Sequence, residues 1–281
     1  MPQELTLNTR WINLAAKQFH ASRGGPPVIA LHGWLDNAAS FTPLAALLPN
    51  LDILALDLPG HGLSDHRPAG QHYHFVDFVA DVIAAADTAG QERFSLIGHS
   101  MGAGIASLVA ASFPERVERL VMIEGLGPWG DDPKACASHL AEATRQILAE
   151  PETRKRRYSS LEPIIRARMQ AGDLGDAAAR QLVERNTHSD SDGVYWRTDP
   201  RLRYRSPIYI TEEQVQAFLP CIKAPTLFIR DAKRSLPAQY NWDQRETLIA
   251  NLQVVKLPGG HHLHMENPAP VAEAIRAFFA A

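Results

Sequence analysis

The segment Gly98-His99-Ser100-Met101-Gly102 sets a hydroxyl between two glycines, each two residues from it. It follows a continuous apolar run, FSLI, and opens a stretch of helix-spaced apolar residues from about Ala103. A serine on such a strand-to-helix turn is lifted clear of the chain, and a Cβ at either flanking glycine would meet the crossing backbone. The chemistry on offer is nucleophilic: a base takes the hydroxyl proton and the oxygen attacks a carbonyl. The Met101 N–H, at a helix start, is then aimed towards the oxyanion that forms.

Such a nucleophile needs a second donor, a base and an acid. Gly33 ends the run VIALHG and lets its loop pass close to the serine turn, so the Trp34 N–H is the natural partner of Met101 in an oxyanion hole. Its indole would wall a pocket or simply pack. Gly259-Gly260-His261-His262-Leu263-His264 follows the last apolar run, where three imidazoles compete for the role of base, each titrating near neutrality when unperturbed. Three histidines in four residues also suit a metal, but no carboxylate or cysteine cluster stands at helical ligand spacing nearby, and we expect neither metal nor cofactor. Asp57-Leu-Pro-Gly-His61-Gly-Leu-Ser64 is turn chemistry, and His61 in it is read as structural. Glu124 and Asp231 each close an apolar run between Ser100 and His261, and either satisfies the chain order serine, acid, histidine.

Short continuous apolar runs must hold these residues: VIAL at 28–31, ILAL at 53–56, FSLIG at 94–98, RLVMIE at 119–124, TLFIR at 226–230 and LQVVKL at 252–257. Runs without alternation read as strands buried on both faces of a parallel sheet, and helix-spaced segments at 41–48, 73–89, 102–113, about 238–250 and 268–279 alternate with them. Residues 3–20 suit one or two edge strands. After Gly125 the rhythm stops, and 131–206 shows helical patches and no convincing strand. The expectation is therefore an α/β fold with a mostly parallel, doubly wound sheet: a core of 1–128 and 207–281 and an inserted helical cap at 129–206.

Of the 281 residues 45% are hydrophobic and the net charge is −3, so no overall positive field favours nucleic acid or an anionic membrane as partner. Acidic and basic residues nearly balance within 131–206, so RKRR at 154–157 is read as a solvated helix face. No basic start followed by an apolar core and no membrane-length apolar run is present, which makes the cytoplasm the default location. Cys136 and Cys221 are too isolated for a disulfide framework or a zinc site.

Taken together, HGW at 32–34, DLPGHGLS at 57–64, GHSMG at 98–102 and GGHHLHMENP at 259–268 resemble the α/β-hydrolase superfamily, in its order and over essentially the whole chain. HGWLDN with HHLHMENP is similar to its serine hydrolase-like subgroup, whose substrates are poorly defined. The resemblance implies the α/β-hydrolase fold and, from the usual spacing before Met-Glu-x-Pro, selects His261 as base with His262 second. Many members carry the acid in a Gly-x-x-Asp turn where this chain has Asp231-Ala-Lys-Arg234, so Asp231 stands about three residues early. Haloalkane dehalogenases place it at the end of the earlier strand, in a segment resembling Glu124-Gly-Leu-Gly-Pro128, and Glu124 is the preferred candidate. A dehalogenase, however, needs a carboxylate nucleophile; a serine would leave an inert ether. Ser100 instead suits acyl transfer, with a small-molecule carboxylic ester as the expected substrate. Acyltransfer, perhydrolysis or slow ligand binding on the same fold are the alternatives.

Overall fold

The computed structural model describes residues 2–149, 156–233 and 241–281. Its strands in chain order are β1 (Gln3–Asn8), β2 (Asn13–Phe19), β3 (Pro27–Leu31), β4 (Asp52–Leu56), β5 (Phe94–His99), β6 (Val117–Ile123), β7 (Thr187–Asp190), β8 (Gly193–Trp196), β9 (Thr226–Asp231) and β10 (Leu252–Leu257). Eight form one sheet in the order β1-β2-β4-β3-β5-β6-β9-β10. The hairpin β1–β2 joins β4 antiparallel, and every pairing from β4 to β10 is parallel.

The apolar runs become strands because helices cover both faces of the sheet. Leu96 and Phe228 face a core shared with α2 (Asp77–Thr88) and α3 (Met101–Ser112), while Ile97, Val121 and Ile229 face the other side, which α1 (Thr42–Ala45) and a C-terminal helix cover. This period-two division explains why apolar residues stand at successive positions in the central strands, as in Leu96-Ile97 and Phe228-Ile229. β10 lies at the edge and accordingly carries exposed Gln253, Val254 and Lys256. The parallel pairing sets the carboxyl ends of β3, β5, β6, β9 and β10 along one edge of the sheet, and it is outside such ends that open α/β sheets bind ligands.

Between β6 and β9 the chain leaves the sheet and forms α4 (Cys136–Leu148), α5 (Glu162–Gly172) and α6 (Asp176–Asn186). The expectation of no strand here needs correction, because β7 and β8 pair antiparallel from Thr187↔Trp196 to Asp190↔Gly193. The two-residue loop Ser191-Asp192 closes this hairpin, and its first strand, THSD, is too short and polar to show alternation. The segment has its own apolar cluster, including Ile164, Ile165, Leu182, Val183 and Val194, to which Met265 is added from the C-terminal loop.

α7 (Glu212–Phe218) and the short α8 (Trp242–Glu246) flank β9, and α9 (Leu263–Glu266) and α10 (Pro268–Ala280) end the chain. The helix expected at about 238–250 narrows to α8, with 238–240 outside the described residues. Of RKRR, residues 154 and 155 lie outside them too, while Arg156 and Arg157 are exposed but not helical. Both cysteines are free and exposed. Among the described residues no helix is long and apolar enough to cross a membrane.

Candidate active site

Ser100 joins β5 to α3 with φ 52° and ψ −113°, a conformation that costs a non-glycine residue about 1–3 kcal/mol. Neighbouring backbone holds it there: its N–H donates to Ile123 O at 2.8 Å, and its carbonyl accepts from the N–H groups of Ala103 at 3.0 Å and Gly104 at 3.2 Å. The flanking glycines are sterically required. A Cβ on Gly98 would stand 2.4 Å from Gly102 O, and one on Gly102 would stand 2.0 Å from Leu31 O. The second contact also shows how tightly the first turn of α3 packs on the end of β3, where the loop carrying Trp34 begins.

The imidazole of His261 lies between Ser100 and Glu124. Its Nε2 is 3.0 Å from Ser100 Oγ, and its Nδ1 is 3.3 Å from Glu124 Oε2. Glu124 follows β6 with φ 52° and is 1% exposed, whereas the His261 side chain keeps 28% of its surface open. One end of this chain of contacts is therefore accessible and the other sealed from water.

Asp231 faces a different task. Its Oδ1 accepts from the N–H groups of Gly259 at 3.2 Å and Gly260 at 3.1 Å, and its Oδ2 accepts from Lys233 N at 2.9 Å. It thus shapes the loop that presents His261, in which Gly259 and Gly260 take φ of 149° and 68°. Its own N–H donates to Glu124 Oε1, which fixes the glutamate from behind. The two carboxylates that compete in the sequence are parts of one arrangement.

The other histidines are not at the hydroxyl. His262 and His264 are buried, the first with Nε2 3.3 Å from Asp36 Oδ2, the second with its ring 4.1 Å from that of His99. His61 is also buried, donates from Nδ1 to Pro59 O at 3.0 Å and is pushed down to about 3 by burial and by His32. Trp34 sits beside the serine turn with its indole half exposed, and Nε1 donates to Leu202 O at 3.0 Å, linking the β3 loop to the inserted segment. Met101 is the first residue of α3, so its N–H is among those that a helix leaves without an internal partner.

Two residues near the site escaped the sequence reading. His99 Nε2 donates to the carbonyl of His261 at 2.8 Å, and burial pushes this imidazole down to about 4 against the pull of Asp36. Asp36, in the loop after β3, is itself buried; although burial opposes its charge, His262, His99 and Arg168 hold its carboxyl well below the usual range. Asp36 in HGWLDN carries no spacing signal towards residue 262, and the parallel pairing of β3 and β5 sets its loop beside His99 at the end of β5.

Residues 26–268 match the family described as having the alpha/beta hydrolase fold. A serine hydrolase-like protein of Dictyostelium discoideum is 34% identical over 95% of this chain and 78% of its own length. Human serine hydrolase-like protein 2 is 30% identical over 98% of this chain and 93% of its own length. A crystal structure of a hypothetical protein from Pseudomonas aeruginosa superposes with a TM-score of 0.92 at 39% identity, covering 99% of this chain and all of that one. With strand order, serine turn and these relatives in agreement, the chain belongs to the α/β-hydrolase family.

Proposed function

We propose that this chain is a serine hydrolase that cleaves carboxylic esters of small molecules through an acyl-enzyme, with Ser100 as nucleophile, His261 as base and Glu124 as acid. The observation that carries the reading is the continuous contact from Ser100 Oγ through His261 to a sealed carboxylate.

In the first half-reaction His261 Nε2 takes the Ser100 proton as Oγ attacks the ester carbonyl. Glu124 holds the Nδ1–H tautomer and stabilises the imidazolium that forms. The backbone N–H groups of Trp34 and Met101 receive the oxyanion, each such donor contributing on the order of 10²- to 10³-fold in turnover. His261 then protonates the departing alcohol, and in the second half-reaction it activates water against the acyl-enzyme. An alcohol leaves more readily than an amine, which favours esters over amides. Residues 129–206 act as a cap that lines the acyl pocket, a reading supported by the Trp34–Leu202 hydrogen bond.

A series of chromogenic esters of graded acyl length, with a fluorophosphonate probe, tests this. The native chain is expected to hydrolyse at least one ester and to be labelled at Ser100, and Ser100→Ala to lose about six orders of magnitude in kcat. Activity retained in Ser100→Ala, or a native chain that neither turns over nor labels, refutes it.

A further inference from the structure

Beside His261, two loops and the end of β5 bring together Asp36, His99 and His262, all buried. Asp36 Oδ2 lies 3.3 Å from His262 Nε2 and 3.7 Å from His99 Nδ1, and one ligand atom from each residue fits within 4.8 Å of the others. Neither Asp36 Oδ2 nor His99 Nδ1 has a hydrogen-bond partner among the described residues. Buried polar atoms without partners are rare, and each calls for an explanation.

Proton placement makes the arrangement more demanding. His99 Nε2 faces the carbonyl of His261, which only accepts, so the N–H of the neutral ring must be on Nε2. Nδ1 is then a bare lone pair turned towards a carboxylate oxygen that is also only an acceptor. Two lone pairs directed at the same place in a dry interior repel unless a positive centre, a metal ion or a second proton on His99, lies between them. The other Asp36 oxygen is already paired with Arg168, which orients the carboxylate.

We propose that Asp36 Oδ2, His99 Nδ1 and His262 Nε2 bind a divalent transition metal of the zinc type. Bonds of about 2.0–2.2 Å in a tetrahedral site set ligand atoms roughly 3.3–3.6 Å apart; the two pairs with Asp36 stand at 3.3 and 3.7 Å, and the whole set, within 4.8 Å, would draw in on binding. Two imidazoles and one carboxylate favour zinc or cobalt over calcium or magnesium, which take oxygen ligands. The outer contacts are those that metal ligands usually have: His99 donates its second nitrogen to a main-chain carbonyl, and the free carboxylate oxygen is held by a guanidinium. The ion would tie the loops after β3 and β10 to the end of β5, and it uses none of Ser100, His261 or Glu124. Its role is to fix the loop that carries the base.

The test uses the full chain, stripped with a chelator and titrated with Zn²⁺ or Co²⁺ under calorimetry, with metal content, thermal unfolding and the Co²⁺ spectrum recorded. One equivalent should bind, Zn²⁺ should raise Tm, and Co²⁺ should show the strong visible absorption of a four-coordinate site. Asp36→Asn and His262→Gln, checked for folding by circular dichroism, should each weaken Zn²⁺ by more than the ~10- to 100-fold that loss of an outer partner costs. Should the variants fail to fold, X-ray absorption of the native Co²⁺ protein decides, with two imidazole nitrogens in the first shell expected. No saturable uptake by the native chain, equal affinity in folded variants, or a first shell without imidazole overturns the proposal.

Discussion

At the carboxyl ends of the strands, position is set by main-chain hydrogen bonds from one strand to the next. Ser100 N–H is held by the last residue of β6, and Glu124 N–H by Ile229 in β9. The inserted segment joins the core differently, through side chains beside a main-chain bond from Asp199 N–H to Gly60 O. Arg185 of α6 places Nε 2.9–3.0 Å from both oxygens of buried Asp57, Asn37 Nδ2 donates to Leu182 O at 2.9 Å, and Arg168 pairs with Asp36. A backbone lattice tolerates substitution of most side chains it carries, whereas a side-chain junction depends on particular residues. The first design keeps Ser100 and Glu124 in place whatever their neighbours' side chains, and the second ties the inserted segment to a few residues that must be kept.

Removing the acid tests the strand-end design most severely. Glu124→Gln should leave the fold intact and lower kcat by about 10⁴-fold, because the imidazole loses both its tautomer and its counter-charge; steady-state kinetics beside circular dichroism measures this, and a small loss would hand the acid's role to Asp231. The junction is tested by Arg185→Met, which leaves Asp57 buried beside the N–H groups of Ala38 and Leu63 but without its guanidinium. Loss of one partner from a buried pair costs about 3–5 kcal/mol, to be read from urea unfolding. A variant as stable as the native chain would show that the segment is not held by this pair. The smallest effect is expected at the seam between the two designs. Asp231→Ala frees the N–H groups of Gly259 and Gly260, and an ångström of drift at His261 should lower kcat by about 10²-fold with KM little changed.

The parallel sheet and the serine turn were legible because their signals are local: apolar runs buried on both faces, and glycines at the two positions where a Cβ would strike backbone. Trp34 and Met101 were named from the same kind of local signal, as loop and helix starts next to that turn, and their oxyanion role stays part of the proposal. Residues 187–196 were not, since a four-residue strand reading THSD has no alternation to detect. Nor was the joint use of Glu124 and Asp231, which sequence order presents as rivals; they cooperate because parallel pairing of β6 and β9 sets one carboxylate behind the other. Asp36 was out of reach for a similar reason, its neighbours being more than sixty residues away along the chain.

The pinning of Ser100 by β6 and of Glu124 by β9 also bears on how the molecule is made. During synthesis from the amino terminus, the polypeptide emerges with its serine before β6, which holds it in its unfavourable bend, and long before β9, which holds Glu124. Under the proposed function, the hydroxyl has no base until β9 and the loop that carries His261 have been added. On that reading a nascent chain is chemically silent, and its serine gains a base only when the last quarter docks.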